Sequence, residues 1–203
     1  SGVDAGIGRV MSELQTLGIA DNTIIVLMGD NGYFLGERGY AGKWLPYELS
    51  IRVPLVIFDP RVNNMLRGKT PVEPVLNIDI APTLLDLAGV DVPETMQGRS
   101  LVPLVQGEQI PNWRTDFFVE HLFDHPQIPK HEGVRAERYK YARYFEQLPV
   151  YEELYDLHED PMETKNLASD PNYSAILTEL RSRTDVLQTE YGGPYSPVTM
   201  QLP

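Results

Sequence analysis

Val3, Ile7, Val10, Met11, Leu14 and Leu17 recur at helical spacing, and Gly18 follows where a helix can end in a left-handed residue. This predicts an amphipathic helix over about residues 3 to 17. After the turn "GIADNT", the run "TIIVLM" (23–28) is short, continuous and rich in β-branched residues, as in a strand covered on both faces. A second strand is predicted at "IRVPLVIF" (51–58), where Pro54 lacks a ladder donor and belongs at a strand start or an edge. In "DIAPTLLDLAG", Asp79 reads as an N-cap and Pro82 is tolerated in the first turn. Ile80, Leu84, Leu87 and Ala88 share a face, and Gly89 ends the helix. The first hundred residues thus read as α/β.

From Trp113 the texture changes. "DFFVEHLF", "GVRAERYKYARYF" and "EELYDL" are short aromatic segments between turns and predict a small antiparallel sheet. Tyr139 and Tyr141 alternate with Arg138, Lys140 and Ala142, so one face should pack while the other stays wet. Asp170-Pro171 opens a closing helix with Tyr173, Leu177, Leu180, Leu187 and Tyr191 near one face, ended by Gly192-Gly193. The stretch "VQGEQIPNW" (105–113) divides the chain into domains 1–110 and 111–203.

Composition narrows the function classes. With 203 residues and 42% hydrophobic content the chain can bury a core, which sets disorder aside. Lys and Arg number 17 against 29 Asp and Glu, a net charge of −12 that argues against nucleic acid as a partner. Without cysteine there is neither a disulfide nor a thiolate metal site. No apolar run approaches the ~20 residues of a membrane span. The opening "SGVDAGIGRV" has no Met and no signal pattern, and reads as the middle of a longer polypeptide.

The candidate chemistry lies in "VLMGDNGYFLGERGYAGKW" (26–44), at the carboxyl end of the first predicted strand, where ligand sites of open α/β sheets collect. Asp30 and Asn31 offer a carboxylate and an amide oxygen, hard donors suited to Ca²⁺ or Mg²⁺, with Gly29 and Gly32 allowing a sharp backbone. Two residues cannot complete a sphere of ~6–8 oxygens. Alone, "DNG" reads first as an Asx-type turn and Lys43 as a solvated surface charge.

The order of segments changes that reading. "GDNGYFLGERGYAGKWLPYELSIRVPLVIF", then "NIDIAPTLLDLAGVDVPETMQGRSLVPLVQG", then "GVRAERYKYARYF" with "EELYDLHEDPMETKNLA", resembles the C-terminal part of the formylglycine-dependent sulfatase family, in the alkaline-phosphatase-like superfamily. The resemblance covers nearly the whole chain. It implies part of an alkaline-phosphatase-like α/β sandwich with a mostly parallel sheet. A small C-terminal antiparallel subdomain, packed by a terminal helix, completes the fold. It also implies that Asp30 and Asn31 ligate a divalent cation, Ca²⁺ or else Mg²⁺, and that Lys43 contacts the sulfate of a sulfated small molecule or carbohydrate.

Arg38, in "GERG", stands where many relatives have histidine. It reads as a surface arginine or as a partner of Glu37 or Glu48, with substrate contact as the alternative. His121 reads as a structural histidine, with a place bordering the substrate cleft as its alternative. His125, His131 and His158 lie in turn-like surroundings without metal spacing, and the acidic clusters "YEELYD" and "LHEDPMET" read as solvated turns. The family's nucleophile is a formylglycine made from a C/S-x-P-x-R motif, which no residue here begins. The isolated chain is therefore expected to be inactive and, with its buried strand short of neighbours, to self-associate. A phosphatase, phosphodiesterase or phosphonate hydrolase of the same superfamily, or a non-catalytic module, are the competing readings. Export to the periplasm or beyond is implied by resemblance alone.

Overall fold

The computed structural model describes residues 1–193. In chain order its elements are α1 (Gly2–Thr16), β1 (Ile25–Met28), β2 (Phe34–Leu35), β3 (Ala41–Gly42), α2 (Glu48–Ile51), β4 (Leu55–Phe58), α3 (Ile80–Leu87), α4 (Val102–Val105), β5 (Asp116–His121), β6 (His131–Ala136), β7 (Tyr139–Tyr144), β8 (Tyr151–Asp156) and α5 (Ser174–Glu190). They gather into two compact units, Ser1–Asp30 with Val53–Trp113, and Asn31–Arg52 with Arg114 onward. The division expected near residue 110 is corrected in one respect. The segment 31–52 leaves the α/β part, because Phe34 and Tyr47 pack with Tyr155 and Leu157 in a shared core.

In the first unit, the Ser1 hydroxyl accepts from Asp4 N at 3.3 Å and caps α1, which gives way to Gly18 at φ 67°. Strands β1 and β4 pair antiparallel, with Ile25 opposite Phe58 and Met28 opposite Leu55. The mostly parallel sheet implied by resemblance is thus represented, among the described residues of this unit, by an antiparallel pair. Pro54 precedes β4, where its missing N–H costs the ladder nothing, and its carbonyl accepts from Gly29 N at 3.2 Å. Leu27 and Met28 are 38% and 37% exposed, so β1 is less covered than its apolar run predicts. A two-stranded sheet gives it one hydrogen-bonded neighbour.

Asp79 does not cap α3 in the expected way. Its buried carboxylate accepts instead from Leu76 N at 2.7 Å and from Arg99 N at 2.8 Å, fastening the "GRSL" loop to the start of the helix. Thr83 continues the tie, its hydroxyl accepting from Leu101 N at 2.9 Å.

The second unit is a four-stranded antiparallel meander, β5-β6-β7-β8, covered on one face by α5. Alternation along the strands sends Val134, Tyr141 and Leu154 to the helix, where Leu177, Leu180 and Leu187 meet them. The opposite face is not wet. Lys140 and Glu153 are 3% and 4% exposed, because the segment 31–52 lies on that face and ion-pairs with it. Lys140 pairs with Glu163 and with Glu48, and the Glu163 carboxylate accepts from Glu48 N at 2.7 Å. Glu153 accepts from the phenols of Tyr47 at 2.6 Å, Tyr144 at 3.0 Å and Tyr155 at 3.2 Å. No helix among the described residues is long and apolar enough to cross a membrane.

Tyr47→Phe keeps the ring but withdraws one donor from a buried carboxylate. It should lower the unfolding free energy by about 1–3 kcal/mol in urea titrations, with an unchanged denaturant slope.

Candidate functional site

Asp30 ends the first unit, exposed, and Asn31 begins the second, half-buried. Gly32 follows where only glycine fits: a β-carbon there would stand 2.1 Å from Leu49 O, and its N–H donates to Ser50 O at 2.8 Å. Gly29 carries no such demand, since a β-carbon there meets Val53 at an ordinary 3.4 Å. Of the two glycines read as hinges, Gly32 is the one that the packing requires.

From Gly32 the chain runs into the β2–β3 hairpin, in which Phe34 faces Gly42 and Leu35 faces Ala41. This register returns Lys43 to the start of the loop, and its ammonium donates to Asn31 Oδ1 at 2.7 Å. The amide orientation is settled at both ends, because Asn31 Nδ2 donates to Gly32 O at 2.7 Å while only the oxygen can accept from an ammonium. A carbonyl oxygen has a second lone pair, so Asn31 Oδ1 can serve the lysine and a cation together. Among the described residues no group of three or more His, Asp or Glu is placed to hold an ion.

Beside Lys43 begins a row of rings. The lysine ammonium lies 6.0 Å from the Trp44 ring centroid, and Trp44 lies 5.6 Å from His121 and 6.2 Å from Phe123. The structure thus brings His121 next to the residue that follows Lys43. Behind it His131 stacks at 5.5 Å and in turn meets Tyr144 at 5.5 Å. Burial holds the His121 imidazole below its ordinary pKa, and buried His121 Nε2 has no hydrogen-bond partner among the described residues. His131 is brought down to about 4 by burial, against the opposing bond to Pro129 O and helped by the neighbouring His121. His131 therefore belongs to the strand β6 and to the core, where the sequence had suggested a turn.

Arg38 has partners that sequence reasoning did not name. At φ 58° in the hairpin loop, it donates to Met162 O at 3.1 Å and to Glu163 O, and its guanidinium lies 4.3 Å from the Tyr47 ring centroid. These contacts make it an anchor of the hairpin on the 162–163 turn, unlike the expected pairing with Glu37 or Glu48. The acidic clusters are corrected as well. "YEELYD" is β8, and Glu153, Asp156 and Glu163 are all buried, each with a basic or phenolic partner. Burial raises the Glu163 pKa despite Lys140, whereas for Glu48 the pull of Lys140 and Arg135 outweighs burial and lowers it. A cavity of about 500 Å³ in the first unit, with Asp59, Arg61 and Asp86 among its lining, contains none of the expected site residues.

Residues 36–190 match the family model described as N-sulphoglucosamine sulphohydrolase, C-terminal. The chain belongs to the sulfatase family. An N-acetylglucosamine-6-O-sulfatase of Bacteroides thetaiotaomicron is 35% identical over 194 residues, which is 93% of this chain and 34% of that protein. An arylsulfatase of Clostridium perfringens is 34% identical over 182 residues, 88% of this chain and 36% of the relative. This chain therefore spans about a third of the length of these curated sulfatases. Among solved structures, a protein in complex with its substrate D-glucosamine-2-N,6-O-disulfate aligns with a TM-score of 0.86 at 34% identity, over 93% of this chain and 38% of that one. The phosphonate monoester hydrolase of Agrobacterium radiobacter aligns at 0.82 and 30% identity, over 93% and 39%. These structures carry the alkaline-phosphatase-like α/β fold with its small antiparallel sheet and terminal helix.

Two outcomes follow from this packing. Gly32→Ala should destabilise the second unit by about 2 kcal/mol or more in thermal or urea unfolding, since the Leu49 carbonyl must be displaced. His131, facing His121 and Tyr144, is neutral in the fold, and the unfolded chain takes up its proton near pH 6.5 whereas the folded chain does so near 4. Between those values the unfolded state binds more protons, so stability falls as pH falls, by on the order of 3 kcal/mol in total. Urea titrations at pH 7, 5.5 and 4.5 should show this slope, and His131→Phe should flatten it.

Proposed function

We propose that this chain is the C-terminal part of a sulfate-ester hydrolase, in which Asp30 and Asn31 ligate a divalent cation and Lys43 contacts the sulfate. The observation that carries the reading is the Lys43 Nζ–Asn31 Oδ1 hydrogen bond of 2.7 Å, in a chain of the sulfatase family. It ties the ammonium to the residue proposed as a metal ligand, so that one anionic group can meet both charges. A sulfate ester near its transition state spreads negative charge over the non-bridging and leaving oxygens, and Lys43 supplies a positioned donor for that charge.

The donor types fit a hard cation. A carboxylate and an amide oxygen suit Ca²⁺, with Mg²⁺ as the alternative, better than a soft metal. Once bound, such an ion would add electrostatic stabilisation of the developing charge. The family in general uses a metal and a formylglycine, and these 203 residues contain no C/S-x-P-x-R motif to yield the latter. The nucleophile and the remaining ligands are accordingly assigned to other parts of the complete enzyme.

The likeness to a structure solved with D-glucosamine-2-N,6-O-disulfate supports a sulfated carbohydrate as substrate. A second reading, hydrolysis of phosphonate monoesters, is favoured by the likeness to the Agrobacterium radiobacter enzyme. Asn31 beside Asp30, in place of a softer imidazole donor, weighs toward sulfate.

In the complete protein, Lys43→Ala should lower kcat on 4-nitrophenyl sulfate by about 10²–10³-fold, the loss typical of one oxyanion donor. An unchanged kcat would overturn the role of Lys43, and faster turnover of a phenyl phosphonate monoester than of the sulfate would favour the second reading. The 203-residue chain by itself should release no nitrophenol.

A further inference from the structure

Phe123 is 55% exposed and Trp44 42%, although both are large apolar rings fixed in place. Their planes are near parallel, 19° apart with centroids at 6.2 Å, and His125 continues the series at 6.0 Å and again 19°. The loop that carries them is pinned. Lys130, itself 6% exposed, reaches Asp124 and Glu146 at 3.0 Å each. The His125 carbonyl accepts from Ile128 N at 3.1 Å, and its Nδ1 accepts from Gln127 N at 3.2 Å. On the other side, Trp44 is held by its neighbour His121 and by the hairpin that positions Lys43.

Exposed apolar rings are costly to leave in water, and here they are held in register beside a cation. Near-parallel faces suit a flat ligand. A quaternary ammonium is instead enclosed by rings standing at angles around it. A pyranose offers an apolar C–H face to the negative face of an aromatic ring and carries its substituents outward at the ring edge. The Lys43 ammonium lies over the indole at 6.0 Å from its centroid, within reach of a charged substituent on a ring packed beside Trp44.

We propose that Trp44 and Phe123, with His125 behind them, form a stacking platform for the ring of a sulfated hexosamine whose sulfate is directed at Lys43. The proposal rests on the reading of Lys43 as the sulfate contact. It makes these rings the determinants that select a cyclic leaving group over an acyclic one.

The test uses the indole N–H resonances of Trp44 and Trp113 in the complete protein, assigned with Trp44→Phe and Trp113→Phe variants. Glucosamine 6-sulfate should shift the Trp44 resonance in ¹H–¹⁵N spectra and leave that of Trp113 in place. Phe123→Ala should weaken that binding by about tenfold, the loss expected for one aromatic partner. Phe123→Leu, which keeps an apolar side chain without a π face, should weaken it too. Inorganic sulfate, read through the backbone resonance of Lys43, should bind these variants as it binds the parent. A Trp44 resonance that ignores glucosamine 6-sulfate, or that responds more to choline sulfate, would overturn the platform, and so would an affinity unchanged in both Phe123 variants. Lys43→Ala reports on the other reading. If it leaves sulfate and sugar sulfate binding intact while Phe123→Ala weakens the sugar, the platform stands as a ring site and the sulfate role of Lys43 falls.

Discussion

The attachment of the segment 31–52 to the meander centres on one buried carboxylate. Glu153 lies inside β8 at 4% exposure, and three phenols, from Tyr47, Tyr144 and Tyr155, donate to it. A polar group so placed is tolerated only where its hydrogen-bonding capacity is met. Tyr47 comes from the segment that carries Lys43, so the same bond that satisfies the acid also fastens that segment to the sheet. Burial and the Glu153 hydrogen bond push the Tyr47 and Tyr144 phenols upward in pKa, which keeps them protonated and able to donate. Next to this anchor, Lys140 binds Glu48 and Glu163, and Arg38 crosses the Tyr47 ring to the 162–163 carbonyls. Breaking one partner of such a set leaves a buried charge behind, so the contacts hold or fail together.

Site geometry is a by-product of that attachment. With Tyr47 and Glu48 fixed, the β2–β3 hairpin can present Lys43 to Asn31, and Gly32 can pass against the Leu49 carbonyl. The exposed rings of Trp44 and Phe123 then stand on two separately anchored pieces of chain, one held by the hairpin and one by Lys130. The proposed ring site is thus anchored on both sides without being buried.

Periodicity made the frame legible. The helices α1, α3 and α5 and the meander follow from apolar spacing; α5 and the meander bury that face against one another, whereas Val3, Val10 and Met11 of α1 stay exposed. Asp30, Asn31 and Lys43 are candidates through the order of motifs, and their spacing alone does not distinguish a site from a turn. Pattern reading failed where charge is buried. Lys140, Glu153 and Glu163 look like solvent-facing residues, since nothing local in "ERYKYARY" or "HEDPMET" reveals that a segment about a hundred positions earlier will cover them. Arg38 is exposed, as a surface arginine should be, but its partners are not legible for the same reason. Its partners, the Met162 and Glu163 carbonyls, are 124 and 125 residues away, and backbone acceptors leave no mark in a sequence.

That separation has a consequence for how the molecule is made. Tyr47 waits 106 residues for Glu153, and Glu48 waits 115 for Glu163. At a synthesis rate of about 5–20 residues per second, the hairpin bearing Lys43 is out of the ribosome for roughly 5–20 s before its anchor exists. During that interval the strands on either side of it, β1 and β4, can already pair with each other. The segment 31–52 is therefore a loop at birth and becomes part of a second unit only once residues 153 to 163 have been made.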